Sequence, residues 1–215
     1  MATVKEKIKK ISKKEEAKKA PKKVPKALIY EKRNGKPIYY RNYQKVLNGE
    51  LPLEAVMGSG YLQALIIELL LRFIMPKLPF EKYAIFTNEV GFKYKKGSWY
   101  NLDLAIWERE KLKEPTKELI TVPPKVVIEV DTKIEVEEFE NKFGMEYYVA
   151  KTEDLLNSGV EKVIWIFTPS KKVLVATKNQ PWIMANWDYT FEVLDGLKVN
   201  LQELVGKYLP KEEEK

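Results

Sequence analysis

NLDLAIWE, residues 101–108, and PKVVIEVDTK, residues 124–133, are strand-like runs that each carry a carboxylate among apolar side chains. In the first, Asp103 lies among Leu102, Leu104 and Ile106; in the second, Glu129 interrupts Val126, Val127, Ile128 and Val130. A charge on an apolar strand is costly unless a partner or a metal meets it. Period-two alternation puts Val127, Glu129 and Asp131 on one face, so two acids project toward one strand end. Mg²⁺ takes one or two carboxylates, waters and phosphate oxygens, and activates water for attack on phosphorus. A nearby lysine would position that water or stabilise the developing charge. Taken singly, each acid also reads as a strand-edge carboxylate paired with one of the many lysines.

Working outward, LIYEK (28–32) and PIYY (37–40) flank Asn34-Gly35, a strong hairpin signal. The stretch from Ala55 to Met75, ended by Pro76, predicts a buried helix of about five turns, with Glu68 and Arg72 favouring a soluble core over a membrane span. It serves equally as a core element or a dimer face. Gly58-Ser59-Gly60 lacks the lysine and spacing of a phosphate loop and reads as a tight turn or the start of that helix. Strand-like pieces follow at 83–90, 91–94, 102–107 and 125–130. An amphipathic helix is expected from about Ile134 to Asn157, stopped by Gly159. VIWIF (163–167) and VLVAT (173–177) form a second hairpin, and a last helix spans Leu201 to Tyr208. This order of elements predicts an α+β domain with a mixed sheet.

Composition narrows the chemistry. With no Cys and no His, the chain has no thiolate nucleophile, Cys or His zinc site, Ser-His-Asp triad or imidazole proton shuttle. Catalysis must run on carboxylates, lysines, tyrosines, backbone groups and an oxygen-ligated metal. The net charge of +7 is unevenly placed: residues 1–26 hold 11 lysines against three glutamates, leaving 27 basic and 28 acidic residues beyond them. Residues 1–27 therefore read as a disordered Lys-rich tail, 28–209 as one folded domain, and 210–215 as a charged end. The tail has no continuous apolar stretch, so it is neither signal peptide nor membrane span, and a cytoplasmic protein is expected.

Four pieces together resemble the Uma-family restriction endonucleases, a branch of the PD-(D/E)XK nuclease superfamily. Tyr30-Glu31 followed by Asn34-Gly35 resembles the family's opening Tyr-Glu-x-x-Asp-Gly hairpin, with Asn34 in place of aspartate. Leu102-Asp103-Leu104-Ala105 resembles Pro-Asp-Val-Ala, with Leu102 where proline is usual. Val127-Ile128-Glu129-Val130 resembles the strand with the second metal-binding acid, and Lys151, eight residues before Gly159-Val160, sits where the family carries a helical lysine. The resemblance spans roughly residues 28–177. It implies a restriction-endonuclease-like core, a mixed sheet flanked by helices, acting on DNA as a Mg²⁺- or Mn²⁺-dependent endonuclease. Asp103 and Glu129 would bind the metal, Lys151 would orient or activate water, and Glu31 would be an accessory acid. Pairing into a homodimer is also expected.

Two features depart from that pattern: Trp165 falls one position late, and Thr168-Pro169 replaces the frequent Asp-Pro. Asp131-Thr132-Lys133 is a literal D-x-K, which offers a rival register. Lys142 is a further candidate on the same helix as Lys151, but nine residues turn a helix by about 900°, so the two cannot share a face. Trp99, Trp107, Trp165, Trp182 and Trp187, with Tyr147 and Tyr148, read mainly as packing. Open alternatives are a catalytically silent nucleic-acid-binding or interaction protein on this fold, and a phosphoryl hydrolase acting on nucleotides.

Overall fold

The computed structural model of the protein describes residues 24–131 and 145–209. The expected tail up to residue 23, Lys133, Lys142, the first part of the long helix and the charged end from residue 210 lie outside the described residues. The chain opens with a hairpin, β1 (Ile29–Arg33) and β2 (Lys36–Tyr39), turned through Asn34 and Gly35 at φ 52° and 75°. Positive φ at both central residues matches the right-handed twist of the flanking strands, as the Asn-Gly signal demands.

After a short helix, α1 (Tyr43–Leu47), the chain forms α2 (Tyr61–Ile74), β3 (Tyr83–Lys95), β4 (Ser98–Glu108) and β5 (Val126–Asp131). Then come α3 (Met145–Asn157), β6 (Lys162–Phe167), β7 (Lys172–Thr177) and β8 (Ile183–Asn186), followed by β9 (Thr190–Leu194), β10 (Leu197–Asn200) and α4 (Leu201–Val205). The apolar helix is shorter than its pattern predicts. Leu53–Val56 is a separate 3-10 turn, and Gly58, at φ +89°, breaks the chain before α2 begins after Gly60. The last helix is likewise α-helical only to Val205, with a 3-10 turn at Gly206–Tyr208.

An eight-stranded mixed sheet runs in the order β2-β1-β4-β5-β6-β7-β8, with β3 also paired to β4. Among the described strands only β5 and β6 pair in parallel, and α3 lies between them in the chain. On one face Ile66, Leu70 and Ile74 of α2 and Leu201 and Val205 of α4 bury against Val126, Ile128 and Val130. On the other, Tyr147, Leu155 and Leu156 of α3 bury with Val127, Trp107 and Trp165. Each fully buried Leu or Ile contributes about 1.5–3 kcal/mol, so α2 is a core element through this face. No helix among the described residues is long and apolar enough to cross a membrane.

Candidate active site

The edge of β4 opposite β3 is shared by two strands. β1 meets it at Lys32–Trp99, and β5 pairs with it from Leu104–Ile128 to Ile106–Val126. Between them, Asn101 to Asp103 have no ladder partner on that side, and this fork is where the candidate residues gather. One position past the last β4–β5 pair, the strands part and Asp103 Oδ2 accepts the Val130 N–H at 2.8 Å. A side chain thus takes the donor that the ladder releases.

Lys151 comes down from α3 into the fork and is 1% exposed. Its Nζ donates to Glu31 Oε1 at 2.8 Å and to the Asn101 carbonyl at 2.9 Å, and lies 3.2 Å from Glu129 Oε1. Glu31 also accepts from the Tyr147 hydroxyl at 2.7 Å and the Asn101 N–H at 3.2 Å. The rings of Tyr100, Trp165 and Tyr147 surround the ammonium at 5.3, 5.7 and 5.9 Å from their centroids. Asp154, one turn along α3, accepts from Arg33 at 2.6 Å and Tyr100 at 2.7 Å, which pins the helix to β1 and β4.

Burial dominates the electrostatics. It pushes Glu129 well above the ordinary carboxylate range; Asp103 and Glu31 add to that, and Lys151 opposes it. Glu31 and Asp103 are also raised by burial, against Lys151 and their hydrogen bonds. Burial alone would lower Lys151, but the charges of Glu129 and Glu31 outweigh it and hold the ammonium above the ordinary lysine value. Lys151 is therefore a permanent cation and donor at neutral pH.

Asp103, Glu129, Lys151 and Glu31 thus meet in one place. Asp131, on the same strand face as Glu129, instead accepts from the Tyr148 hydroxyl at 2.7 Å at the strand end. Sequence reasoning missed Asn101, Gln63 and Glu89, and read Tyr147 mainly as packing. Gln63, on α2, donates to Asp103 Oδ1 at 3.1 Å. Glu89 sits in a bulge of β3: Thr87 pairs with Leu104 and Val90 with Leu102, so Asn88 and Glu89 together oppose Asp103. Both have positive φ, 69° and 53°. Bulges re-aim side chains next to sites, and the half-buried Glu89 carboxyl is raised by burial and then by the charges of Asp103 and Glu31. Trp107, Trp165 and Trp187 are core residues as expected.

Among the described residues, no three or more acidic, His or Cys side chains gather closely enough to hold a metal by themselves. The donor set fits a cation that needs fewer. Glu129 Oε1 and Gln63 Oε1 are buried without a hydrogen-bond partner, and two carboxylates completed by water and phosphate oxygens suit Mg²⁺.

No family model matches the chain, and no curated protein matches its sequence. Among solved structures it is similar to that of a putative nuclease belonging to DUF820 from Anabaena variabilis ATCC 29413, with a TM-score of 0.58 and 14% identity over 83% of this chain and 90% of that one. At that identity the likeness is one of fold: a restriction-endonuclease-like α+β core with a large mixed sheet flanked by helices.

Proposed function

We propose that this protein is a metal-dependent nuclease that hydrolyses DNA phosphodiester bonds, in the manner of the Uma-family enzymes whose motifs it resembles. The observation that carries the reading is a buried ammonium, Lys151, wedged between Glu31 and Glu129 beside Asp103. A surface ion pair would not need this construction; a site that handles negative charge would.

Asp103 and Glu129 would hold Mg²⁺ or Mn²⁺, which supplies neutralisation of phosphate charge and a more acidic water. Lys151 has three N–H donors, of which Glu31 and Asn101 take two in well-aligned bonds. The third lies toward Glu129 and is available to orient water or to stabilise charge building on a phosphate oxygen. Because Lys151 stays protonated, it acts as donor and cation and not as the base. Glu31 and Tyr147 fix where that donor points. DNA as the substrate comes from the family resemblance, and the lysine-rich first 26 residues are the segment suited to phosphate contacts.

Incubating the full chain with supercoiled plasmid and with single-stranded DNA, with and without Mg²⁺ or Mn²⁺, tests this reading. Metal-dependent nicking or cutting by the wild type, lost in Asp103→Ala, is expected. Binding to DNA with no cleavage under any metal would instead favour a catalytically silent binding protein on the same fold, a role consistent with the near-neutral charge beyond residue 26.

A further inference from the structure

Gln63 is the polar exception on the buried face of α2, whose other buried positions are Ile66, Leu69, Leu70 and Ile74. It is 4% exposed. A polar side chain at such a position is retained only where its groups are satisfied, yet only half of this amide is. Nε2 donates to Asp103 Oδ1 at 3.1 Å, while Oε1 is buried with no partner. An ionised carboxylate only accepts, so an ionised Asp103 faces the NH₂. The nitrogen is thereby committed to Asp103, and the buried carbonyl oxygen of the same amide is left without a hydrogen bond. Glu129 Oε1 also lacks a hydrogen bond, although the Lys151 ammonium lies 3.2 Å from it. Of the two, Glu129 Oε1 has a cation beside it, whereas the Gln63 oxygen has no donor among the described residues.

Resting on the metal-dependent reading above, we propose that Gln63 Oε1 is a third protein ligand of the cation held by Asp103 and Glu129. The chemistry favours an amide. Two carboxylates already balance a divalent charge, and a neutral oxygen adds a donor to the octahedral set without adding repulsion among acids that burial already disfavours. The same side chain then holds Asp103 with its nitrogen and the cation with its oxygen, which couples α2 to the strand fork.

The full chain has four glutamines, Gln44, Gln63, Gln180 and Gln202, so protein labelled with ¹³C at the glutamine side-chain carbonyl gives few lines, and Gln63→Met identifies the relevant one. That line is expected to move with Mg²⁺ in step with binding measured by calorimetry. Gln63→Met should weaken Mn²⁺ binding by about tenfold or more, and Gln63→Glu, which keeps the oxygen and loses the donor to Asp103, should restore it. A stationary Gln63 line with Mn²⁺ affinity unchanged in Gln63→Met, while Asp103→Asn still abolishes binding, would overturn this inference and leave the underlying reading standing. Absence of Mg²⁺ and Mn²⁺ binding in the wild type would overturn both. The carbonyl shift is read on wild-type protein, and substituting the exposed Gln44, Gln180 and Gln202 assigns the Gln63 line by elimination, so it decides even where Gln63→Met folds poorly.

Discussion

Lys151 Nζ lies 2.8 Å from Glu31 Oε1, joining α3 to β1 across 120 residues of sequence, and the two side chains are 1% and 0% exposed. Such a pair orders the fold as well as the site. Its formation requires β1, β4 and α3 all to be in place.

Breaking a buried pair by removing one partner commonly costs about 3–5 kcal/mol, because the other charge is left uncompensated. Lys151→Met is therefore expected to lower unfolding free energy by an amount of that order at neutral pH, since Glu31 and Glu129 both lose their cation. Adding Glu31→Gln to Lys151→Met should recover part of the loss. Urea unfolding of the two single variants and the double gives the coupling directly; purely additive losses would show that the pair is not coupled.

The pH dependence follows from the direction of the carboxyl shifts. Glu129, raised in the folded state mainly by burial, binds its proton more tightly folded than unfolded. Its contribution to stability is fully present below the unfolded carboxylate value, about 4.3, and is lost as pH rises through the folded value. Metal-free Glu129→Gln should therefore lose less stability than wild type over that rise. Mg²⁺ should stabilise the wild type increasingly as pH rises, because protons compete for the same oxygens. Thermal unfolding across a pH series with chelator or Mg²⁺ checks both; parallel wild-type and Glu129→Gln profiles would contradict the assignment.

The basic segment makes a separate claim. Deleting residues 1–26 removes a net charge of +8, and each phosphate contact contributes about 0.9 to the slope of log K against log salt on duplex DNA. The truncated protein should bind DNA more weakly, with a flatter salt dependence and a nearly unchanged unfolding temperature. An unaltered slope would remove the segment from the DNA-binding account.

What was legible in the sequence is what local pattern encodes. Asn34-Gly35 predicts its hairpin, alternation places Glu129 on one strand face with Val127 and Asp131, and Gly159, at φ +112°, marks the end of the long helix. The four motif residues meet in the folded chain. The partners that orient them were not legible, because they arrive through distant contacts: Gln63 from 40 residues before Asp103, and Tyr147 from 116 residues after Glu31. A glutamine on an apolar helix carries no local sign of its target. Glu89 reaches the site only through a bulge, and the residues forming it, Asn88 and Glu89, look like ordinary strand interruption. The β9–β10 hairpin had one signal, Asp195-Gly196, both at positive φ, between strands too short for periodicity to register.

The central claim is that the buried helical lysine serves cleavage. It is tested most directly in a background where its removal leaves less charge stranded. Glu31→Gln and the Glu31→Gln/Lys151→Met double variant, each confirmed folded, are compared for Mg²⁺- or Mn²⁺-dependent plasmid cleavage, with Lys133→Met alongside. The account predicts measurable cleavage by Glu31→Gln and by Lys133→Met, and a fall of about 10²–10³-fold from the single to the double variant, the usual cost of losing one well-placed donor. Equal rates for the single and double variants, or loss of cleavage in Lys133→Met with Lys151 intact, would contradict it.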